Sequence, residues 1–491
     1  MDISVQLRWA LAGTIVFYVV AMYALSWIAQ KKIHDNQDYL VAGRRLPLSL
    51  AWMTLLATWF GAGTLITATD EVRDNGVTAA TLDPLGAGVC LLLAGVFVAA
   101  PLWRMQLLTF CDLFRERFDA RAEFCSALIS VPSYFGWIAA QFYALAAMLE
   151  LFFNIDPNLG LLMVAVVGTG YTLMGGMWSV TLTDAVQIVL ILVGLVVLAV
   201  TVLLHLGDGS LPLGLAELKN QTAAEHLELI PSESTAALLG WLSVLVVGAL
   251  GNLTAQDLLQ RIFAARSEKV ARHACYVAGT VYLTMGTIPV GLGLASAILF
   301  PDAAEQGVMA TLAQEFLSPP LAIIFTLVVM SAILSTIDSA LLGPASIVAQ
   351  NILPRFTSVQ PLLLNRLAVV GVGLCSLGVA YMGEDAYSLL EQSYSLGLVG
   401  LFVPMMFAIY THPRNAVPAL ASMVAGTLVW AIHFVLGWDW FLEGVALVGR
   451  WQLPMALSAT AISLAAYLVC EPPWRMRWHA GRVTNEANFR P

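Results

Sequence analysis

The sequence predicts an all-α polytopic membrane protein of about thirteen transmembrane helices, folded as a single membrane domain over residues 1–491. Three observations predict it. Charged residues make up 11% of the chain and hydrophobic residues 59%, with mean hydropathy +0.80, whereas a soluble domain is about a quarter charged. Apolar runs of roughly 20 residues, enough to cross a hydrocarbon core of about 30 Å, recur from the first residues to about Cys470. These runs also sort the basic residues. With the N-terminus outside and the C-terminus cytoplasmic, all of the 23 lysines and arginines except Arg8, Arg73, Lys219 and Arg450 fall on the inner side.

In chain order, the run 8–30 has no small-residue cleavage site and reads as an extra N-terminal helix that is retained. The second run, 48–69, contains Ala57-Thr58-Trp59-Phe60-Gly61-Ala62-Gly63-Thr64, where glycine allows a helix to break. In the third, 78–102, Pro84 follows Asp83, frees a carbonyl one turn earlier and bends the helix. Runs 124–152, 159–176 and 183–205 follow; Gly175-Gly176 reads as a close-packing pair. The outer loop 206–234 is acidic, with Asp208, Glu217, Glu225, Glu228 and Glu233. The seventh run, 235–262, holds a second candidate break at Gly248-Ala249-Leu250-Gly251-Asn252-Leu253-Thr254. Runs 273–299, 318–350, 364–382 and 390–410 lead to two C-terminal helices within 415–471 and a tail, 472–491, expected in the cytoplasm. The two candidate breaks lie five spans apart, so their helices cross in opposite directions. That is the pattern of two inverted five-helix repeats, 48–205 and 235–410, with a binding site between them. Two glycine-rich packing helices are the competing reading.

Composition excludes several functions. The net charge of −9 is spread over loops and forms no patch for nucleic acid. The six cysteines show no CxxC spacing, so neither a disulfide frame nor a zinc site is expected. HExxH, GxSxG and phosphate-loop motifs are missing and the seven histidines do not cluster, so no enzyme and no organic cofactor is expected. The longest stretches outside the runs are too short for a soluble core, and the tail is too short for a signalling domain.

An ionisable group near the bilayer centre costs at least about 2.5 kcal/mol, so Asp83, Asp184, Asp338 and, nearer an interface, Glu391 need a partner or a task. Ser331, Ser335, Asp338 and Ser339 share one helical face through i, i+3 and i+4 spacing. Such an all-oxygen face beside an unwound helix suits a hard monovalent cation. The alternative is that the hydroxyls bond back to their own helix and Asp338 pairs with a basic side chain, though none lies in that helix.

The stretch Gly175-Gly176-Met177-Trp178-Ser179-Val180-Thr181-Leu182-Thr183-Asp184-Ala185-Val186-Gln187 and the stretch Ser335-Thr336-Ile337-Asp338-Ser339-Ala340-Leu341-Leu342 resemble the sodium/solute symporter family, as do Gly43-Arg44-Arg45 and Gln260-Arg261. Within it, residues 57–63 and the stretch to Pro84 look most like the high-affinity choline transporters and their bacterial relatives. The resemblance implies a LeuT-type fold, alternating access, sodium as coupling ion and a small organic solute: an amine, an amino acid or a choline-like compound. It implies a bilayer, that of a bacterial inner (plasma) membrane, as the protein's surroundings. By that resemblance the principal sodium site uses the carbonyls of Ala57, Phe60 and Ala332 with the hydroxyls of Ser335 and Thr336. A second sodium, present in some members, would use Asp184, Ser335, Asp338 and Ser339.

For substrate the match is partial. Trp59 and Trp137 fall where two aromatics of the choline-type cage belong, but Ala255 and Ala87 stand where that branch has a tryptophan and a tyrosine. Gln141 flanks Trp137, as do Tyr134, Phe135 and Tyr143. Asp83 has no counterpart in that branch, and as partner for N–H donors it favours a small amine or amino acid over choline. The alternatives are a sodium-independent facilitator or channel on the same scaffold, or a symporter of a small carboxylate.

Overall fold

The computed structural model describes residues 5–301, 307–382 and 386–476; Arg477, Arg482 and Arg490, with most of the predicted 472–491 tail, lie outside them. The described residues form helices and two isolated β-bridges. Each predicted run finds its helix, and they are numbered here in order. They are α1 (Trp9–Gln30), α2 (the bent pair Leu48–Trp59 and Gly63–Asn75), α3 (Val77–Met105), α4 (Ala120–Phe153), α5 (Pro157–Gly170), α6 (Gly176–Leu206) and α7 (Thr235–Thr254). Then come α8 (Glu268–Leu299), α9 (Pro319–Arg355), α10 (Pro361–Ala380), α11 (Tyr387–Tyr410), α12 (Val417–Leu436) and α13 (Met455–Cys470). Ten of these are long and apolar enough to cross a membrane, the bent pair makes an eleventh, and α5 and α13 are shorter apolar helices. The chain is an integral membrane protein.

Both anticipated breaks are present. The helical ladder of α2 stops at Phe60 (φ −82°, ψ 59°), and the helix resumes from Gly63 at an angle of 56°. The seventh helix tightens into a 3₁₀ turn over Gly251–Thr254 and passes through extended Ala255 (φ −73°, ψ 126°). It then continues as a separate helix, Gln256–Ala264, within what the sequence reads as one run. A third break joins α5 to α6 at Gly176 (φ 51°, ψ −162°). Only glycine suits that φ, and a Cβ there would lie 2.6 Å from the Tyr39 ring. Gly176 is thus a helix break as well as a packing point. Between α3 and α7 the backbones meet: a Cβ on Gly248 would lie 2.6 Å from the Leu82 carbonyl oxygen.

Side chains at the two ends of the bundle agree with the alternation of spans. At one end, Arg44 donates to the carbonyls of Phe263 (3.1 Å), Gln106 (2.7 Å) and Leu107 (2.8 Å). Arg104 pairs there with Glu268, and Arg355 with Glu123, both at 2.7 Å. At the other end, Arg73 donates to the Phe300 carbonyl and Thr78 to that of Glu228. A miscounted span would have put these partners on opposite faces. The first helix is the most peripheral, 17% buried along its apolar window, while α11 is 72% buried and lies inside.

Candidate functional site

Where two helices lose their ladders at one depth, backbone groups are left free to meet a solute. Between the breaks of α2 and α7 lies a cavity of about 40 Å³, walled also by α3, α4, α8, α9 and α11. Trp59, Asp83, Trp137, Gln141 and Ala255 all line it, as do Ala87 and Thr336. Glu391 does not; it is half-buried elsewhere on α11.

Asp83 is 7% exposed, so it does not sit in water at an outer helix end. Its Oδ1 lies 2.7 Å from the Tyr282 hydroxyl and 2.9 Å from the Thr64 hydroxyl, which also touch each other, so two protons are shared over this cluster. The Tyr282 hydroxyl reaches the Trp59 carbonyl at 3.0 Å as well, fastening α8 and α3 to the unwound part of α2. A Cβ on Gly63 would stand 3.0 Å from Asp83 Oδ2; glycine leaves that oxygen uncrowded, and both residues line the cavity. Gln141, fully buried, accepts the Ala62 N–H through Oε1 at 2.9 Å, while its Nε2 has no partner.

A second carboxylate, Asp257, faces the same cavity just past the α7 break. Its Oδ1 accepts from Tyr134 (2.6 Å) and its Oδ2 from Trp59 Nε1 (3.2 Å), so it fixes two aromatic rings of the wall. The inventory of acids drawn from sequence omits Asp257, although it lies inside the apolar run 235–262, where the same energetic argument applies. Tyr282 and Tyr394 also line the cavity and had no sequence signal, because nothing in an apolar helix says which tyrosine faces inward. They supply aromatic surface that Ala87 and Ala255 lack. Tyr143, by contrast, is 39% exposed and belongs to a second, outer cavity.

The ion candidates lie beside this cavity. Thr336 meets the α2 break, since a Cβ on Gly61 would collide with its hydroxyl. That hydroxyl donates to the Ala332 carbonyl at 3.2 Å, and Ser335 donates to Asp184 Oδ1. With their protons so directed, both oxygens keep lone pairs for a cation. Ala57, Phe60 and Ala332 are fully buried. Among the described residues no group of three or more His, Cys, Asp or Glu could hold a metal, so hydroxyls and carbonyls would have to dominate any ion site.

Asp184 also accepts from Thr54 at 2.5 Å. Arg261, arriving from beyond the α7 break, stands 3.6 Å from Asp184 Oδ2 and donates to Ser339 at 2.6 Å. Asp184, Ser335 and Ser339 are therefore gathered around a guanidinium. The side chain of Asp338 turns toward Thr172 and its Oδ1 has no partner. The sequence flagged Gln260-Arg261 as a motif and did not foresee that Arg261 reaches these residues.

Known proteins resemble this chain in sequence and in fold. The structure of a Na⁺-coupled sialic acid symporter superposes with a TM-score of 0.75 at 18% identity, covering 94% of this chain and 97% of that one, and shares its LeuT-type fold. The human high affinity choline transporter 1 is 25% identical over 443 residues, 85% of this chain and 75% of that protein. The sodium/proline symporter of Escherichia coli (strain K12) is 24% identical over 447 residues, 87% of this chain and 88% of its own length. The model of the sodium:solute symporter family matches residues 39–426, and the chain belongs to that family.

Proposed function

We propose that the protein uses a sodium gradient to carry a small organic amine with N–H donors, by alternating access around the cavity between the α2 and α7 breaks. One observation carries the reading. Among the described residues the cavity wall holds two carboxylates, Asp83 and Asp257, and no lysine, arginine or histidine. A cation entering it meets aromatic faces and an open carboxylate oxygen, and an N–H donor gains a charge-assisted hydrogen bond that a quaternary ammonium cannot form. The free volume of about 40 Å³ favours a solute of few heavy atoms. A small carboxylate is disfavoured by the same two acids. Intact hydroxyls at Ser335 and Thr336 argue against a sodium-independent facilitator.

In this reading segments 48–205 and 235–410 act as the two inverted repeats that rock about the site. The coupling sodium is held by the carbonyls of Ala57, Phe60 and Ala332 with the hydroxyls of Ser335 and Thr336. A second sodium at Asp184, Ser335, Asp338 and Ser339 has to share its surroundings with Arg261. Uptake into sealed proteoliposomes, across amines, amino acids and carboxylates with and without an inward sodium gradient, tests coupling and substrate together. Transport that ignores sodium, or a preference for carboxylates, would refute the proposal.

Ser335→Ala and Thr336→Ala should each weaken sodium binding by about tenfold, the effect of losing one oxygen ligand worth roughly a hydrogen bond. Sodium-dependent stabilisation of the purified protein measures this. An unchanged sodium dependence in both variants removes the ion assignment.

A further inference from the structure

The Ala62 N–H lies at the α2 break and needs an acceptor, which Gln141 Oε1 supplies at 2.9 Å. Reversing the amide would set an NH₂ group against that N–H, so Nε2 must point away from it. The resulting donor is buried and unpartnered, on a side chain that lines the cavity. Asp83 Oδ2 stands against Gly63, the residue next to Ala62. Asp83 and Gln141 line the same cavity of about 40 Å³, which limits how far apart a bound solute can carry its nitrogen and its acceptor.

We propose that the solute is a cation with an uncharged oxygen acceptor a few bonds from its nitrogen, a short amino alcohol or amino amide, bound by Asp83 at nitrogen and by the Gln141 amide at oxygen. The inference rests on the amine reading above. A plain alkylamine leaves Nε2 without a partner after the site has closed over it, which forfeits a hydrogen bond in a dry site. A zwitterionic amino acid satisfies Nε2 but brings a carboxylate up to Asp83 and Asp257 with no basic side chain on the wall to offset it. An uncharged oxygen satisfies the amide and adds no repulsion.

Binding to the purified full-length protein in saturating sodium, measured by titration calorimetry with ethanolamine, n-propylamine and glycine, tests this. Ethanolamine and n-propylamine have the same number of heavy atoms and differ in the hydroxyl. In the wild type, ethanolamine should bind about tenfold tighter than n-propylamine and tighter than glycine. In Gln141→Met the gap between the two amines should close to within about twofold, whatever the variant does to their common affinity. Equal affinity of the two amines in the wild type overturns the inference, as does a gap unchanged in Gln141→Met or tighter binding of glycine; n-propylamine binding as well as ethanolamine leaves the amine reading standing. Failure of all three to bind, with sodium binding intact, overturns the amine reading itself. If Gln141→Met does not fold, judged by sodium-dependent stabilisation, the wild-type comparison decides alone.

Discussion

Asp83→Asn is expected to lower substrate affinity by roughly ten- to a hundredfold while sodium binding stays as in the wild type. The size follows from exchanging a charge-assisted hydrogen bond for a neutral one inside a site shielded from water. Asparagine is nearly isosteric, and its Oδ1 can still accept from Tyr282 and Thr64, the hydroxyls that meet Asp83 Oδ1 at 2.7 and 2.9 Å. The Trp59 carbonyl remains tied to Tyr282, so the α2 break should keep its shape. What changes is the group at the open oxygen, from an anionic acceptor to an NH₂ donor that repels a substrate N–H. Sodium-dependent stabilisation reports the ion site and substrate titration reports the pocket. Wild-type affinity for every transported solute would sink the role given to Asp83.

Much of this architecture is legible in sequence because its determinants are local. A run of apolar residues is a span whatever surrounds it, and basic loops orient the spans without reference to packing. The breaks at residues 57–64 and 248–254 were readable for the same reason, since glycine weakens a helix where it stands. Asp83 was legible as an anomaly, an acid before a proline in an apolar run; its burial was not, because depth and facing depend on neighbours. Tyr282 and Tyr394 had no legible role: each sits in an apolar helix whose inward face is chosen by tertiary contact. Gly176 shows how the two kinds of information mix. Its small size was visible, while its positive φ became evident only with Tyr39 packed against it. Arg261 was missed for a different reason. Drawn as part of one straight run, α7 carries it to the inner surface, whereas the chain breaks at Ala255 and the following helix is buried along its length, leaving Arg261 1% exposed.

That burial sets the last expectation: Arg261→Met should destabilise the protein by about 3–5 kcal/mol, and adding Asp184→Asn should restore most of the loss. Arg261 and Asp184 are each 1% exposed, and their nearest charged atoms are 3.6 Å apart. The guanidinium also donates to the Thr54 carbonyl (3.1 Å), to Ser339 (2.6 Å) and, within its own helix Gln256–Ala264, to the Asp257 carbonyl (3.0 Å), so it ties that helix to α2 and α9 at one point. Removing the arginine alone leaves Asp184 buried with only the hydroxyls of Thr54 and Ser335 as partners, and an uncompensated buried charge costs far more than a lost hydrogen bond. Asparagine at position 184 removes that charge and still accepts a hydroxyl proton through its Oδ1. Recovery should be incomplete, because the carbonyls of Thr54 and Asp257 stay without the arginine's donors. Unfolding of the purified single and double variants in detergent, at fixed sodium, measures the difference. If the double variant is no more stable than Arg261→Met, the arginine acts as a hydrogen-bonded strut, and compensation of Asp184 is not its role. If sodium stabilises the double variant less than the wild type, the loss of the Asp184 charge has reached the ion site through Ser335, the hydroxyl the two share.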